Sequence, residues 1–299
     1  MTVGLPTYNR AEYLREAIDS VLAQTFRDFT LVISDNASTD DTPELVASYD
    51  DPRIVYRRHD VNRGWIPNFN ASLEGASTDY AMFLCDDDLL RPGALARAVE
   101  VLDGHPDVVL YHSAFDYIDG SGAVRIARMD YAGRIPVDTI ETGGEFIKKS
   151  ITAGCRVCSS TAVFRVAALP SPPYDIRAGF AADYLLWLRL ALDSNVYFSA
   201  EPEAAYRLHD GTISAGWSDV IQGMYRPRPG AIMHLRRVKL DFLRESADRL
   251  PDYGELRRDA ERSAVRSFMD EVVRTRIPKP VKRAVKALVP GRTRAAQVP

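Results

Sequence analysis

Phe83-Leu84-Cys85-Asp86-Asp87-Asp88 places three consecutive carboxylates directly after a short apolar run. Acids packed together repel one another unless a cation neutralises them, and hard oxygen ligands select Mg2+ or Mn2+. At the carboxyl end of a strand in an open α/β sheet, such a cluster lies where these folds bind ligands, and a cation held there could hold a diphosphate. If the strand continues, Asp86 and Asp88 point to one side by the two-residue period. The plainer alternative is a solvated acidic turn that caps the next helix through its dipole. Cys155 and Cys158 form a lone C-x-x-C pair with no second pair at zinc spacing, so buried small side chains are the simpler reading than a metal or redox site. The chain has no Walker A loop, G-x-S-x-G, H-E-x-x-H or G-x-G-x-x-G, which removes the main support for P-loop and dehydrogenase chemistry.

The acidic triplet needs a scaffold, and the pattern around it supplies one. Between Leu5 and Val109 short apolar runs alternate with helical patterns, the signal of a parallel sheet covered on both faces. Leu14, Ala17, Ile18, Val21 and Leu22 fall on one helical face, Thr30–Ser34 reads as a strand, and a helix through Leu45, Val46 and Tyr49 leads to a strand at Ile54–Tyr56. Tyr80–Leu84 is the strand before the triplet, Pro92 stands where the first position of a helix falls, and Val108–Tyr111 closes the series. Turns at Asp119-Gly120 and Ser121-Gly122 then suggest a mixed extension of the sheet. Thr142-Gly-Gly-Glu145 has the form of a capping box, Asp183–Leu192 reads as a helix, and strands follow at Val196–Phe198 and Ala204–Leu208. Two helical stretches, 230–249 and 253–273, lead to the C-terminus.

Composition and charge narrow the partners. With 299 residues, 46% hydrophobic and 26% charged, the chain is ordinary globular protein of about two domains. The net charge of -3 is uneven: residues 274–299 carry eight Lys or Arg and no acid, leaving 30 basic against 41 acidic residues, or -11, in residues 1–273. An acidic body is a poor nucleic-acid binder. Three cysteines suit a reducing cytoplasm, the N-terminus lacks the basic and apolar regions of a signal peptide, and the longest stretch free of charged residues, Gly64–Leu73, is too short to span a bilayer.

Several pieces occur in a fixed chain order: Leu5-Pro6-Thr7-Tyr8-Asn9-Arg10, Ser34-Asp35-Asn36-Ala37-Ser38-Thr39-Asp40, Asn62-Arg63-Gly64 and the triplet. Together they resemble the family 2 glycosyltransferases with the GT-A fold, over about residues 2–215. The resemblance implies a Rossmann-like α/β domain with a mixed sheet over residues 1–215, and the helical stretches beyond it read as a C-terminal helical extension over 216–299. It implies nucleotide-binding roles for Pro6, Thr7, Tyr8, Asn9, Asp35, Asn36, Arg63 and Asp86, and metal binding by Asp87 and Asp88. Asp35 at a strand end could accept hydrogen bonds from a base edge, and Arg63 could offset phosphate charge. The bland readings of these two are a loop cap and a surface ion pair. Many relatives carry an acid where this chain has Cys85, and a second Asp where it has Asn36.

Gly179–Leu188 looks like the family's acceptor segment, in which an acidic pair opens a helix and its Asp is the catalytic base; Ala182 stands in place of the first acid and Asp183 remains. Without the resemblance, Asp183 is a helix N-cap. Tyr206-Arg207-Leu208-His209, followed by Ser214, is similar to the Y-R-x-H segment in which His approaches the metal or diphosphate. The implied activity is an inverting, metal-assisted transfer from a UDP or dTDP sugar to a saccharide, lipid-linked or small-molecule acceptor, with Mg2+ or Mn2+ as cofactor. A nucleotidyltransferase would carry a Gly-rich basic loop after the first strand, which Pro6–Arg10 is not. A silent nucleotide-sugar-binding or scaffold protein is the other alternative, with Ala182 in its favour and Asp183 against it.

In the basic tail Val281, Ala284, Val285, Leu288 and Val289 share a helical face, with Lys279, Lys282, Arg283 and Lys286 mainly off it. This is an interfacial-helix pattern, so a cytoplasmic protein with peripheral contact at the inner face of an anionic membrane is expected. The alternative is a helix docked on the acidic body.

Overall fold

The structure, a computed structural model, describes residues 1–129, 137–209 and 229–263. Strand β1 (Thr2–Thr7), helix α1 (Ala11–Leu22), β2 (Thr30–Asp35), α2 (Thr42–Ala47), β3 (Ile54–Arg58), α3 (Trp65–Ser72) and β4 (Tyr80–Phe83) form the predicted alternating unit. Their strands pair in parallel in the order β3-β2-β1-β4. The apolar stripe of α1, Leu14, Ala17, Ile18 and Val21, is buried against this sheet. Gly4 in β1 allows α3 to lie close: a Cβ there would meet Ser72 Oγ at 2.5 Å and Leu73 Cδ2 at 2.9 Å.

The second half of the sheet is mixed. After β5 (Leu89–Leu90) and α4 (Ala94–Gly104) come β6 (Val108–Asp119), β7 (Val124–Met129), β8 (Thr139–Glu141), α5 (Gly143–Ala153), β9 (Val163–Arg165), α6 (Ala182–Leu190) and β10 (Asn195–Leu208). The order continues β4-β9-β6-β10-β5, with β9 antiparallel to both β4 and β6 and β10 parallel to β6. Thr142 and Glu145 make the expected reciprocal capping box at the start of α5. Helix α7 (Pro229–Glu245) is followed by a helical stretch at 253–263. Val238, Phe242, Leu243, Leu256 and Ala260 join Leu186, Trp187 and Phe164 in one core, while a second core fills the other side around Val3, Leu5 and Ile33. The expected boundary near residue 215, Ser214 and the basic tail at 274–299 lie outside the described residues.

Three local expectations are corrected. The chain leaves β4 at Phe83, and Asp86 and Asp87 form a turn closed by the Asp88 N–H on the Cys85 carbonyl at 3.1 Å, so the two-residue strand period does not govern the triplet. Pro92 does not open α4: Gly93, with φ +83°, is its N-cap and the helix begins at Ala94. The strands expected at Val196–Phe198 and Ala204–Leu208 are one strand, β10, whose register shifts leave Ala200, Glu201 and Glu203 out of the pairing with β6 while Pro202 stays opposite Ala114.

Candidate active site

β5 explains how the acidic loop meets the far end of the chain. Leu89 and Leu90 pair antiparallel with Ala205 and Ala204, and the Arg91 N–H donates to the Glu203 carbonyl at 2.8 Å. This pairing lays Asp86–Asp88 against the last residues of β10. There the Arg207 backbone N–H donates to Asp88 Oδ1 at 2.9 Å and Arg207 Nε to the Asp87 carbonyl at 2.9 Å. Ser160 Oγ donates to the other Asp88 oxygen at 2.5 Å and accepts the Cys85 N–H at 3.2 Å. Thr7 Oγ1, at the end of β1, donates to Asp86 Oδ2 at 2.7 Å. Each acid of the triplet thus has its own direction: Asp86 toward β1, Asp87 toward Arg10 and His209, Asp88 inward.

Burial dominates the electrostatics of the loop. Burial and the adjacent Asp87 push the Asp86 carboxyl up to about 7, and the same two causes raise Asp88 well above the usual carboxylate range. Burial also keeps the Cys85 thiol protonated, a poor ligand for a hard cation. Ligand atoms of Asp87, Asp88 and Cys85 lie within 4.8 Å of one another. The two carboxylates are the donor type that Mg2+ and Mn2+ accept, so the residues fit a hard divalent cation.

A cleft of about 360 Å3 opens beside this loop, across the carboxyl ends of β1 and β4. Pro6, Thr7, Tyr8, Asn36, Asp86 and Asp87 line it, together with Arg10 and the rings of Trp65, Phe69 and Tyr206. Asn36 shapes one wall by donating to Asn62 Oδ1 at 2.9 Å and to the Gly64 carbonyl at 3.2 Å, and by accepting the Arg63 N–H at 2.8 Å. Asn9, with φ +52°, ties the first loop to the second by accepting the Thr39 N–H at 2.7 Å. Asp35 is buried with both oxygens engaged: Oδ1 accepts the Ser38 N–H at 2.8 Å and Oδ2 the Tyr56 hydroxyl at 2.6 Å. It therefore orders the 35–38 loop, and neither its side chain nor that of exposed Arg63 lines the cleft.

Asp183 sits in the first turn of α6, but Ala181 is the N-cap, so Asp183 does not cap the helix; its Oδ1 accepts the Tyr184 N–H at 2.6 Å. Burial pushes its carboxyl up to about 6. Burial raises the Cys158 thiol well above its usual range, with Asp88 and Asp183 adding smaller effects, and its side chain packs with Phe115, Tyr117 and Ala204. Cys158 is thus a packing residue, in line with the simpler reading of the C-x-x-C pair. His209 Nε2 lies 3.1 Å from Asp87 Oδ2. Sequence reasoning gave no role to Arg10, Ser160 or Arg207. Arg10 and Arg207 stand inside motifs that it singled out, whereas nothing local marks Ser160.

An open, mixed α/β sheet with an acidic loop and a polar cleft at its strand ends is the architecture of the GT-A fold. Residues 2–167 match glycosyl transferase family 2, and the chain belongs to that family. An uncharacterized glycosyltransferase of Rickettsia typhi is 28% identical over 213 residues, covering 70% of this chain and 64% of that one. The chain thus spans less than two-thirds of that relative. Among solved structures, Staphylococcus aureus TarS 1-349 in complex with UDP-GlcNAc is similar with a TM-score of 0.66 at 17% identity, covering 96% of this chain and 79% of that one. The mannosyltransferase PcManGT from Pyrobaculum calidifontis, in complex with GDP-Man and Mn2+, is similar with a TM-score of 0.57 at 17% identity over the same shares. No helix among the described residues is long and apolar enough to cross a membrane.

Proposed function

We propose that the protein is an inverting glycosyltransferase that moves a sugar from a nucleoside-diphosphate donor to an acceptor hydroxyl. The observation that carries this reading is the cleft in which Pro6, Thr7, Tyr8 and Asn36 face Asp86 and Asp87 at the strand ends. Tyr8, 43% exposed, offers a ring face to the nucleobase, with Asn36 and the loop ordered by Asn9 and Asp35 closing the base and ribose site. Asp86 lies on the ribose side, and Arg63 offsets phosphate charge from the rim. Asp87 and Asp88 would hold Mg2+ or Mn2+, which supplies charge compensation to the departing diphosphate; His209 adds a contact to the metal or the diphosphate.

Asp183 takes the proton of the acceptor hydroxyl as its oxygen bonds to the anomeric carbon. The bond from that carbon to the diphosphate oxygen breaks, and its electron pair leaves with the nucleoside diphosphate. A single displacement inverts the configuration. UDP and dTDP sugars are the first donors to test, with GDP sugars beside them because PcManGT holds GDP-Man. A saccharide, lipid-linked or small-molecule hydroxyl is the acceptor. We assign transfer to residues 1–215, with 216–299 as a helical extension whose basic tail, 274–299, touches the anionic inner face of the membrane. Co-sedimentation with anionic vesicles that persists after removal of 274–299 would overturn the tail assignment.

The test is a donor panel with acceptor mixtures, following nucleoside diphosphate release and the anomeric configuration of the product. Inverted product in the presence of metal is expected. A product that retains configuration, or full transfer in excess chelator, would overturn the mechanism.

A further inference from the structure

Three atoms at the acidic loop cannot all satisfy one another. Arg10 Nη1 lies 2.9 Å from Asp87 Oδ2 and 2.8 Å from His209 Nε2, while that imidazole nitrogen lies 3.1 Å from the same Asp87 oxygen. A guanidinium nitrogen only donates. When His209 Nε2 accepts from it, the imidazole lone pair faces a carboxylate oxygen; when His209 Nε2 carries its proton, two donors meet at 2.8 Å. At most two of the three contacts are hydrogen bonds.

The arrangement does suit one kind of occupant. In the accepting tautomer, a carboxylate oxygen and an imidazole lone pair converge on the point held by Arg10 Nη1, and that point carries positive charge. Oxygen and imidazole nitrogen are donors that Mn2+ also accepts. Arg10 Nε lies 3.9 Å from Asp86 Oδ1, so the same guanidinium also compensates the neighbouring acid. Arg10 lines the cleft and is the N-cap of α1, so its backbone is fixed at the helix start while its guanidinium faces the donor site.

We propose that Arg10 is a built-in placeholder for the cation, seated on Asp87 and His209 in the nucleotide-free protein and transferred to the donor's diphosphate when cation and donor bind. This rests on the cation-dependent reading of the site above. A cation arriving alone must displace the guanidinium from two partners. A cation arriving with a diphosphate does not strand it, because phosphate oxygens give Arg10 a charge-assisted partner of the same kind. Arg10 thus couples the two ligands: each strengthens the other, by the same factor, beyond their direct contact. The protein then loads cation and donor together and resists binding the cation alone.

The test is Mn2+ titration by electron paramagnetic resonance on full-length wild type, Arg10→Met, Arg10→Gln and Asp87→Asn, each without nucleotide and with saturating UDP or GDP. The expected result is that both Arg10 variants bind Mn2+ alone at least threefold tighter than wild type, while the factor by which nucleotide tightens Mn2+ falls at least tenfold. General damage to the site weakens Mn2+ binding and cannot produce the first effect. A static positive charge that never moves gives the first effect without the second. Weaker or unchanged Mn2+ binding in both variants, or an unchanged coupling factor, overturns the placeholder while loss of binding in Asp87→Asn leaves the metal site standing. Absence of Mn2+ binding in wild type with and without nucleotide overturns both.

Discussion

The Arg207 N–H and Asp88 Oδ1, 2.9 Å apart, join the end of β10 to the acidic loop across 119 positions of sequence. The Arg207 side chain is fully buried, donates to Glu16 Oε2 at 2.7 Å and to the carbonyls of Asp87, Asp119 and Gly120, and lies over the Tyr13 ring. It fastens α1, the triplet and the β6–β7 turn at one point.

Replacing Arg207 with Met leaves the buried Asp87 carbonyl and the part-buried carbonyls of Asp119 and Gly120 without this donor, and we expect a stability loss on the order of 3 kcal/mol. Glu16 is 48% exposed, so Glu16→Gln should cost about 1 kcal/mol or less. Urea denaturation of the two variants checks the ranking; equal losses would mean that the ion pair, and not the carbonyl contacts, holds the joint.

Ser160→Ala removes the donor to Asp88 and the acceptor of the Cys85 N–H together. The expected cost is about 1–3 kcal/mol, because two buried polar groups lose a partner. The Asp88 carboxyl should rise further, so half-maximal donor binding should need more Mn2+ than in wild type. Unchanged Mn2+ dependence would show that Ser160 acts on the fold alone.

Asp183 has a folded-state pKa raised to about 6 from 3.8, so the folded protein binds this proton more tightly than the unfolded chain. Its contribution therefore turns unfavourable as pH rises from about 4 through about 6, and at neutral pH the cost is on the order of 3 kcal/mol. Asp183→Asn should be more stable than wild type at pH 7.5, with the gap closing toward pH 4 in thermal melts. Transfer should rise with pH through about 6 in wild type, and collapse in the variant while donor binding persists. A variant with near-wild-type transfer would move the base elsewhere.

The alternating half of the sheet was legible because apolar spacing carries it: the buried face of α1 is the one that its sequence period predicts. The capping box at Thr142 was legible for the same local reason. What failed was punctuation that depends on backbone conformation. Gly93 takes a left-handed φ and shifts the start of α4 past Pro92, and the turn at Asp86-Asp87 ends the strand early.

Within the candidate site, residue types were legible but partnerships were not. Asp35 ends β2 as expected, yet its two oxygens serve Ser38 and Tyr56. Ser160 meets Asp88 over 72 positions, and Arg10 meets His209 over 199; no local pattern encodes contacts that only the assembled sheet creates.

The most direct test of the account is titration calorimetry of UDP, dTDP and GDP into wild type and Asp87→Asn, in Mn2+ and in excess chelator. At least one nucleotide should bind wild type in Mn2+, at least tenfold more weakly in chelator, and should not bind Asp87→Asn detectably in either condition. Equal affinity in Mn2+ and chelator, or undiminished binding to Asp87→Asn, would contradict the claim that the acidic loop holds the donor through a cation.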